Sequence, residues 1–269
     1  MRLTEIVGAL RAGDGGHGLH SVEVPEDWTQ GRTLFGGLQA ALLVRAMRSH
    51  LVVEPNLPLR TLQVTFVAPV AAGRVGIQSR LLRTGKSAVH CEARIESANG
   101  ETQCVAVAVF GRARPSALAL APPPPTVECD PASARQIRWE QGASPLFTRH
   151  LEQRWAAGGL PFTGASQAQT QIHLRYRDEP SIDESVLIAL SDSIPSPAIS
   201  VLTQPAMASS LSWTLELLCD AWPTDGSAFW LMDARADAAA EGYVFQSATL
   251  WSADRHPIAF SRQSAVVFG

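Results

Sequence analysis

The chain carries no basic surplus. Its formal net charge is -3, with 17% charged and 46% hydrophobic residues, so it reads as a globular protein with no electrostatic footprint for nucleic acid. The four cysteines, Cys91, Cys104, Cys129 and Cys219, are far apart, with no C-x-x-C and no histidine pair at zinc-ligand spacing. Neither a metal site nor a secreted disulfide framework is suggested, and the plain reading is four reduced thiols in a cytoplasm. Glu5 stands where a signal peptide needs its apolar stretch, and no run approaches the ~20 apolar residues of a membrane span. The expectation is a soluble, cytoplasmic protein. G-x-S-x-G, H-E-x-x-H and a strand-borne G-x-G-x-x-G are also missing, which argues against a serine hydrolase, a zincin and a Rossmann enzyme. Arg83-Thr84-Gly85-Lys86-Ser87 is like the end of a phosphate loop, but Arg80 occupies the position of the leading glycine and the segment joins two strands. It reads as a hairpin turn.

What the chain does have is length for a large core, 269 residues, and four consecutive prolines at Pro122–Pro125 that forbid helix and deny donors to a ladder. Residues 116–134 therefore read as a linker between an N-terminal unit, residues 1–115, and a C-terminal unit, residues 135–269. The two units have the same order of elements. In the first, an extended stretch (His17 to Val24) precedes Phe35-Gly36-Gly37, a long apolar helix from Gly36 to His50, and strands at Thr61–Val67, Gly73–Leu82, Ser87–Ile95 and Thr102–Phe110. In the second, Thr170–Arg177 is extended, Ile182–Ile194 is helical, and strands follow at Ser210–Leu218, Ser227–Met232, Gly242–Trp251 and Pro257–Phe268. Both close on Val-Phe-Gly, at Val109-Phe110-Gly111 and Val267-Phe268-Gly269. A duplication follows.

A helix this apolar must be buried against one face of its antiparallel sheet. The expected fold class is α+β, a double hotdog with two antiparallel sheets each wrapped around a long central helix. The copies would pack edge to edge or face to face.

Three polar residues stand out. Asp192 ends the apolar run Val186-Leu187-Ile188-Ala189-Leu190-Ser191, where the negative end of a helix dipole disfavours a carboxylate, so something else must favour it unless it is a solvated acid at a frayed end. Gln263 lies within the last strand among Ala259, Ser261, Ala265 and Val267; alignment through Val-Phe-Gly sets it opposite Val105 of the first half. A buried amide there needs partners, and an edge strand with the side chain in water is the alternative. Ser210 begins a strand where the first half has Thr61, with Ser209 and Ser212 as competitors for any role it has. The glycines Gly36-Gly37 either offer helix N-terminal N–H groups to an anion or carbonyl, or let helix and sheet approach closely.

Phe35-Gly36-Gly37-Leu38-Gln39-Ala40-Ala41-Leu42, Leu190-Ser191-Asp192, Ser210-Leu211-Ser212-Trp213-Thr214 and Ala259-Phe260-Ser261-Arg262-Gln263-Ser264, in that order over nearly the whole chain, resemble the TesB-like (type II) acyl-CoA thioesterases. The resemblance implies hydrolysis of a fatty acyl-CoA to free acid and CoA by one water, held and activated by an Asp, a Thr or Ser and a Gln, with no covalent intermediate. By position these are Asp192, Ser210 and Gln263, with Phe35, Gly36 and Gly37 toward the substrate. Ser210 stands where the best-known members have Thr, which keeps the hydroxyl and loses the methyl that fixes its rotamer.

Such chemistry requires no metal and no cofactor, because a positioned water and donors for the oxyanion suffice. The first half has no Asp or Glu in its helix and no glutamine at Val105, so one site per chain is expected. The partner is an acyl-CoA, with no nucleic acid and no membrane span, and sheet edges favour a homodimer or higher homo-oligomer. The competing readings are a non-catalytic acyl-thioester-binding hotdog protein and a hotdog hydratase. The second needs an Asp and a His at a helix start, whereas His50 lies at the wrong end of its helix.

Overall fold

The computed structural model describes residues 1–13, 18–51 and 54–268. In the first half, α1 (Leu3–Gly8) is followed by β1 (Arg11–Ala12), β2 (Leu19–Val24), the short pair β3 (Thr29–Gln30) and β4 (Thr33–Leu34), α2 (Gly36–Met47), β5 (Leu59–Phe66), β6 (Gly73–Thr84), β7 (Ala88–Glu96) and β8 (Thr102–Gly111). In the second come β9 (Arg135–Ile137), β10 (Leu151–Gly158), β11 (Gln169–Tyr176), α3 (Glu184–Leu190), β12 (Met207–Leu217), β13 (Trp230–Ala240), β14 (Tyr243–Trp251) and β15 (Pro257–Phe268). Strand, helix and four strands recur in each half. Of the residues singled out from the sequence, His17 and Gly269 lie outside the described residues.

Apart from the two-stranded ribbon β3-β4, the strands form one sheet: the two sheets expected from the sequence are joined edge to edge, one of the two packings left open. Thirteen strands run in the order β1-β2-β6-β7-β8-β5-β12-β15-β14-β13-β11-β10-β9, and β5 pairs antiparallel with β12, with Leu62 opposite Leu215 and Val64 opposite Trp213. Each half would otherwise present an unpaired strand edge, and joining β5 to β12 gives those backbone groups partners. Nor are there two long central helices. α2 is buried on nearly every side, through Leu38, Leu42, Leu43, Val44 and Met47, each burial contributing about 1.5–3 kcal/mol.

α3 has only 7 residues. Asp183 caps its start by accepting from Val186 N–H at 2.9 Å, so Ile182 stays outside. At the other end the hydroxyls of Ser191 and Ser193 donate to the carbonyls of Leu187 and Ala189, at 2.9 and 2.7 Å, and the backbone tightens to i→i−3 bonds before Pro195. Serine back-bonding shortens this helix from the predicted Ile182–Ile194 span.

α2 and α3 lie antiparallel in contact, the start of each beside the end of the other. A Cβ on Gly37 would sit 2.9 Å from Ala189 Cα, so this glycine sets how closely the helices approach. At the far end Arg48, just past α2, forms a bidentate ion pair with Glu184 at the start of α3 and stacks over the Phe110 ring at 4.4 Å. The Thr4 hydroxyl also donates to Glu179 across the halves, at 2.7 Å.

One strand departs from its sequence expectation and another was not expected, each for an identifiable reason. β13 extends to Ala240, through a run of alanines with little strand preference that β14 nevertheless pairs. β10 has no alternating pattern because its Glu152 is buried, held by Arg154 at 2.6 Å and by Arg175 on the facing strand at 2.8 Å. The turn after Thr84 is a hairpin closed by Gly85 N–H donating to Ala88 O at 2.8 Å.

Candidate active site

Asp192 lies two residues beyond α3, at the negative end of that helix, and at the start of α2, whose N-terminus is positive. The second placement offsets the first. Gly37 N–H hydrogen-bonds to the carboxylate, and the Gln263 side chain donates Nε2–H to Oδ1. Burial nevertheless dominates and pushes the Asp192 carboxyl up to about 7, against the lowering effect of Gln263 and Gly37. Its neighbours hold it in place without fixing it as an anion at neutral pH.

Gln263 sits on β15 opposite Trp213 of β12 on one side and Gln246 of β14 on the other. Its inner-face companions Ala259, Ser261 and Ala265 are buried, so the amide faces the helix layer. Trp213 Nε1–H donates to Ser261 Oγ at 2.8 Å, and Ser261 Oγ–H to the carbonyl of Ser191 at 3.1 Å. This pair of bonds fastens the residue before Asp192 to the sheet. A cavity of about 10 Å³, near the size that admits one water, touches Asp192, Gln263, Gln246 and Ser261.

Ser210 reaches the same face through a bulge. It pairs with Ala265, and Ser212 pairs with Ser264, so Leu211 is an extra residue in β12. Simple alternation from Trp213 would have turned Ser210 away; the bulge turns it toward the face of Ala265 and Gln263. Among the described residues its hydroxyl makes no hydrogen bond.

β5 has the equivalent break at Arg60, with Leu59 opposite Phe110 and Thr61 opposite Val109. Superposing the two breaks sets Leu59 against Ser210 and Ala108 against Gln263, in place of Thr61, expected from the start of the strand after each helix, and Val105, expected from the closing Val-Phe-Gly. In the first half those positions are apolar, and the matching helix junction is filled by Arg48 and Glu184.

The two glycines do different things. Gly37 N–H faces Asp192 and lowers its carboxyl. At Gly36 a Cβ would lie 2.8 Å from Asp192 Oδ2 and 3.0 Å from the Phe66 ring, so its bare backbone keeps the second carboxylate oxygen uncovered. Phe35, expected on the substrate side, is fully buried and stacked on Phe147 with ring centroids 4.0 Å apart. It anchors the start of α2 in the core.

Sequence reasoning missed Gln246, Trp213 and Phe66 as parts of this environment, and set Ser261 beside Gln263 without its bond to the Ser191 carbonyl. Gln246 could have been found only from the strand register that sets it beside Gln263. A larger groove, about 560 Å³, lies on the opposite face of β11, β13, β14 and β15, lined by Gln171, Asp233, Arg235 and Arg262 among others.

A helix packed against the antiparallel sheet in each half places the chain in the hotdog class of fold. The chain belongs to the acyl-CoA thioesterase family: residues 24–111 match its N-terminal domain and residues 126–267 its C-terminal domain. It is thereby a thioester hydrolase.

Solved structures agree in fold. A conserved protein of unknown function with hot dog fold from Alicyclobacillus acidocaldarius superposes with a TM-score of 0.87 at 24% identity, covering 100% of this chain and 99% of that one. A putative thioesterase II from Thermobifida fusca YX gives 0.82 at 16% identity, covering 100% and 98%. The acyl-CoA thioesterase II TesB2 from Mycobacterium marinum gives 0.75 at 16%, covering 100% and 99%. A comparison with curated protein sequences finds no match.

Proposed function

We propose that the protein hydrolyses a fatty acyl-CoA to the free acid and CoA through one water activated by Asp192 and oriented by Ser210 and Gln263. The observation that carries this reading is a carboxylate gripped by an amide and a backbone N–H, yet raised by burial to about 7. A base of that strength is half ionised at neutral pH and strong enough to take a proton from water. The water oxygen adds to the thioester carbonyl while its proton passes to Asp192; the tetrahedral intermediate then expels the CoA thiolate, which takes that proton back from Asp192 as the C–S bond breaks. Ser210 and the Gln263 amide supply the hydrogen bonds that fix the water's direction of attack. No step calls for a metal or a cofactor. A panel of acyl-CoAs of graded chain length, read by free-thiol release, tests the activity and sets the acyl preference. No release from any of them would refute the assignment.

The pH dependence follows from the same group. A base works deprotonated, so kcat/KM should rise with pH along an acidic limb near 7 and level off above it. Stability runs the other way. The folded carboxyl binds its proton more tightly than the unfolded one, so its contribution is full below about pH 4 and is lost as pH rises through about 7. Asp192→Asn removes that loss, so its melting temperature relative to wild type should increase between pH 4 and pH 8. A pH-independent difference between the two would argue against a raised Asp192.

The same reading takes residues 1–115 and 135–269 as two hotdog units joined by the linker 116–134, acting in the cytoplasm, where four free cysteines persist. The end strands of the sheet, β1 and β9, are too short to serve as pairing edges. Met207, Tyr243, Phe245 and Phe268 instead form an exposed apolar patch on one face, the surface that favours a homodimer or larger. Light scattering at micromolar concentration should give at least twice the 28.8 kDa chain mass; a strict monomer refutes it.

A further inference from the structure

We infer that Gln246, supported by Ser196, is a positioning residue that decides which end of the Gln263 amide meets Asp192. The inference rests on the proposed role of Asp192 and Gln263. A primary amide has a donor end and an acceptor end of nearly the same shape, and only the donor end stabilises a carboxylate. Gln263 could meet Asp192 with either end. Four hydrogen bonds in series remove that freedom, and they begin at a group that can only donate.

The backbone N–H of Ala198 donates to Ser196 Oγ at 3.3 Å. Ser196 Oγ, accepting there, gives its own proton to Gln246 Oε1 at 2.5 Å. With its oxygen occupied, Gln246 turns Nε2–H to Gln263 Oε1 at 3.1 Å, and Gln263 is left to donate Nε2–H to Asp192 Oδ1. Every bond points the same way, from the single-turn helix Pro197–Ser200 toward the carboxylate. Gln246 and Gln263 face each other directly across β14 and β15, so the register holds the two amides in contact. Reversing Gln263 would set its oxygen against Asp192 and a donor against the donor of Gln246.

Gln246→Leu keeps the bulk and removes the donor, which leaves Gln263 free to turn. The expected result is a roughly 10-fold lower kcat, unchanged KM, and an acidic limb of the kcat profile moved up by about one pH unit, since one unit corresponds to a tenfold change in ionisation. Gln246→Glu goes further. A carboxylate can only accept, so it draws Gln263 Nε2–H to itself and turns Oε1 onto Asp192; kcat should fall below that of Gln246→Leu. Ser196→Ala should show a weaker form of the same shift and Ser196→Thr should restore it, a comparison that stands even if changes within the strand prevent folding.

In an Asp192→Asn background the Gln246 substitutions should change nothing further, because the base they tune is gone. Unchanged kcat and an unmoved limb in Gln246→Leu, with Asp192→Asn still inactivating, would overturn the positioning role and leave the base assignment standing. A lower kcat with an unmoved limb, or a Gln246→Glu variant no worse than Gln246→Leu, would mean that Gln246 only fills space and would overturn it equally. Near-normal turnover in Asp192→Asn would remove the reading beneath it.

Discussion

Asp192→Asn should lower kcat on a good acyl-CoA substrate by ~10²-fold or more while the protein remains folded, the range typical of losing a general base. The substitution keeps the planar shape and the contacts with Gly37 and Gln263 in reach, so circular dichroism should be unchanged. Gln263→Ala and Ser210→Ala should each cost less. Combined with Asp192→Asn they should add little, because a water that has already lost its base gains nothing from being well aimed. The decisive measurement is the double-mutant cycle between Asp192 and Gln263. Near-wild-type turnover in Asp192→Asn would sink the assignment, and losses that multiply across the pair would place the two residues in separate steps.

The largest effect on stability should come from Gly37→Ala. Its new methyl would lie 2.5 Å from the Phe35 ring and 2.9 Å from Ala189 Cα. Neither can yield easily, since Phe35 is fully buried and stacked on Phe147 and Ala189 is backbone of α3. Overpacking of this kind costs about 1–3 kcal/mol and at times more, which in a chain of this size lowers Tm by about 2–12 °C. Gly36→Ala is the contrasting case. Its methyl meets a partly exposed carboxylate and the rim of Phe66, so it should reduce kcat with a smaller loss of stability. Scanning calorimetry and turnover on both variants test the pair. A Gly37→Ala protein that melts within about 1 °C of wild type would mean that the two helices have slack that their contact denies.

The order of elements was legible because α2 is apolar throughout and β5–β8 and β12–β15 alternate or are β-branched. The place of Asp192 at a helix end left open a carboxylate favoured by some partner or a solvated acid; the identity of that partner was not legible. It is the start of a helix some 155 residues earlier, a non-local contact no periodicity reports. The face that Ser210 occupies was hidden in a different way. It depends on the extra residue Leu211, and a bulge inverts every inference drawn from alternation beyond it. Gln246 looked like any polar residue in a strand, since its meaning depends on sitting opposite Gln263. The choice between edge-to-edge and face-to-face packing of the halves stayed open because a pattern of alternation describes a strand's faces and is silent about what its edge pairs with.

The β5–β12 junction has a consequence for dilution. Two separate copies of such a unit would pair with an affinity that mass action can defeat, whereas here the covalent connection sets an effective concentration of order millimolar at any dilution. A site assembled from the end of α3 and the start of α2 thus persists in a nanomolar assay. The same linkage breaks the symmetry that binds identical subunits. In a homodimer a substitution enters both junctions at once, so neither can be given up. In this chain one junction carries Asp192 and Gln263 while the other has become a clamp of Arg48 on Glu184.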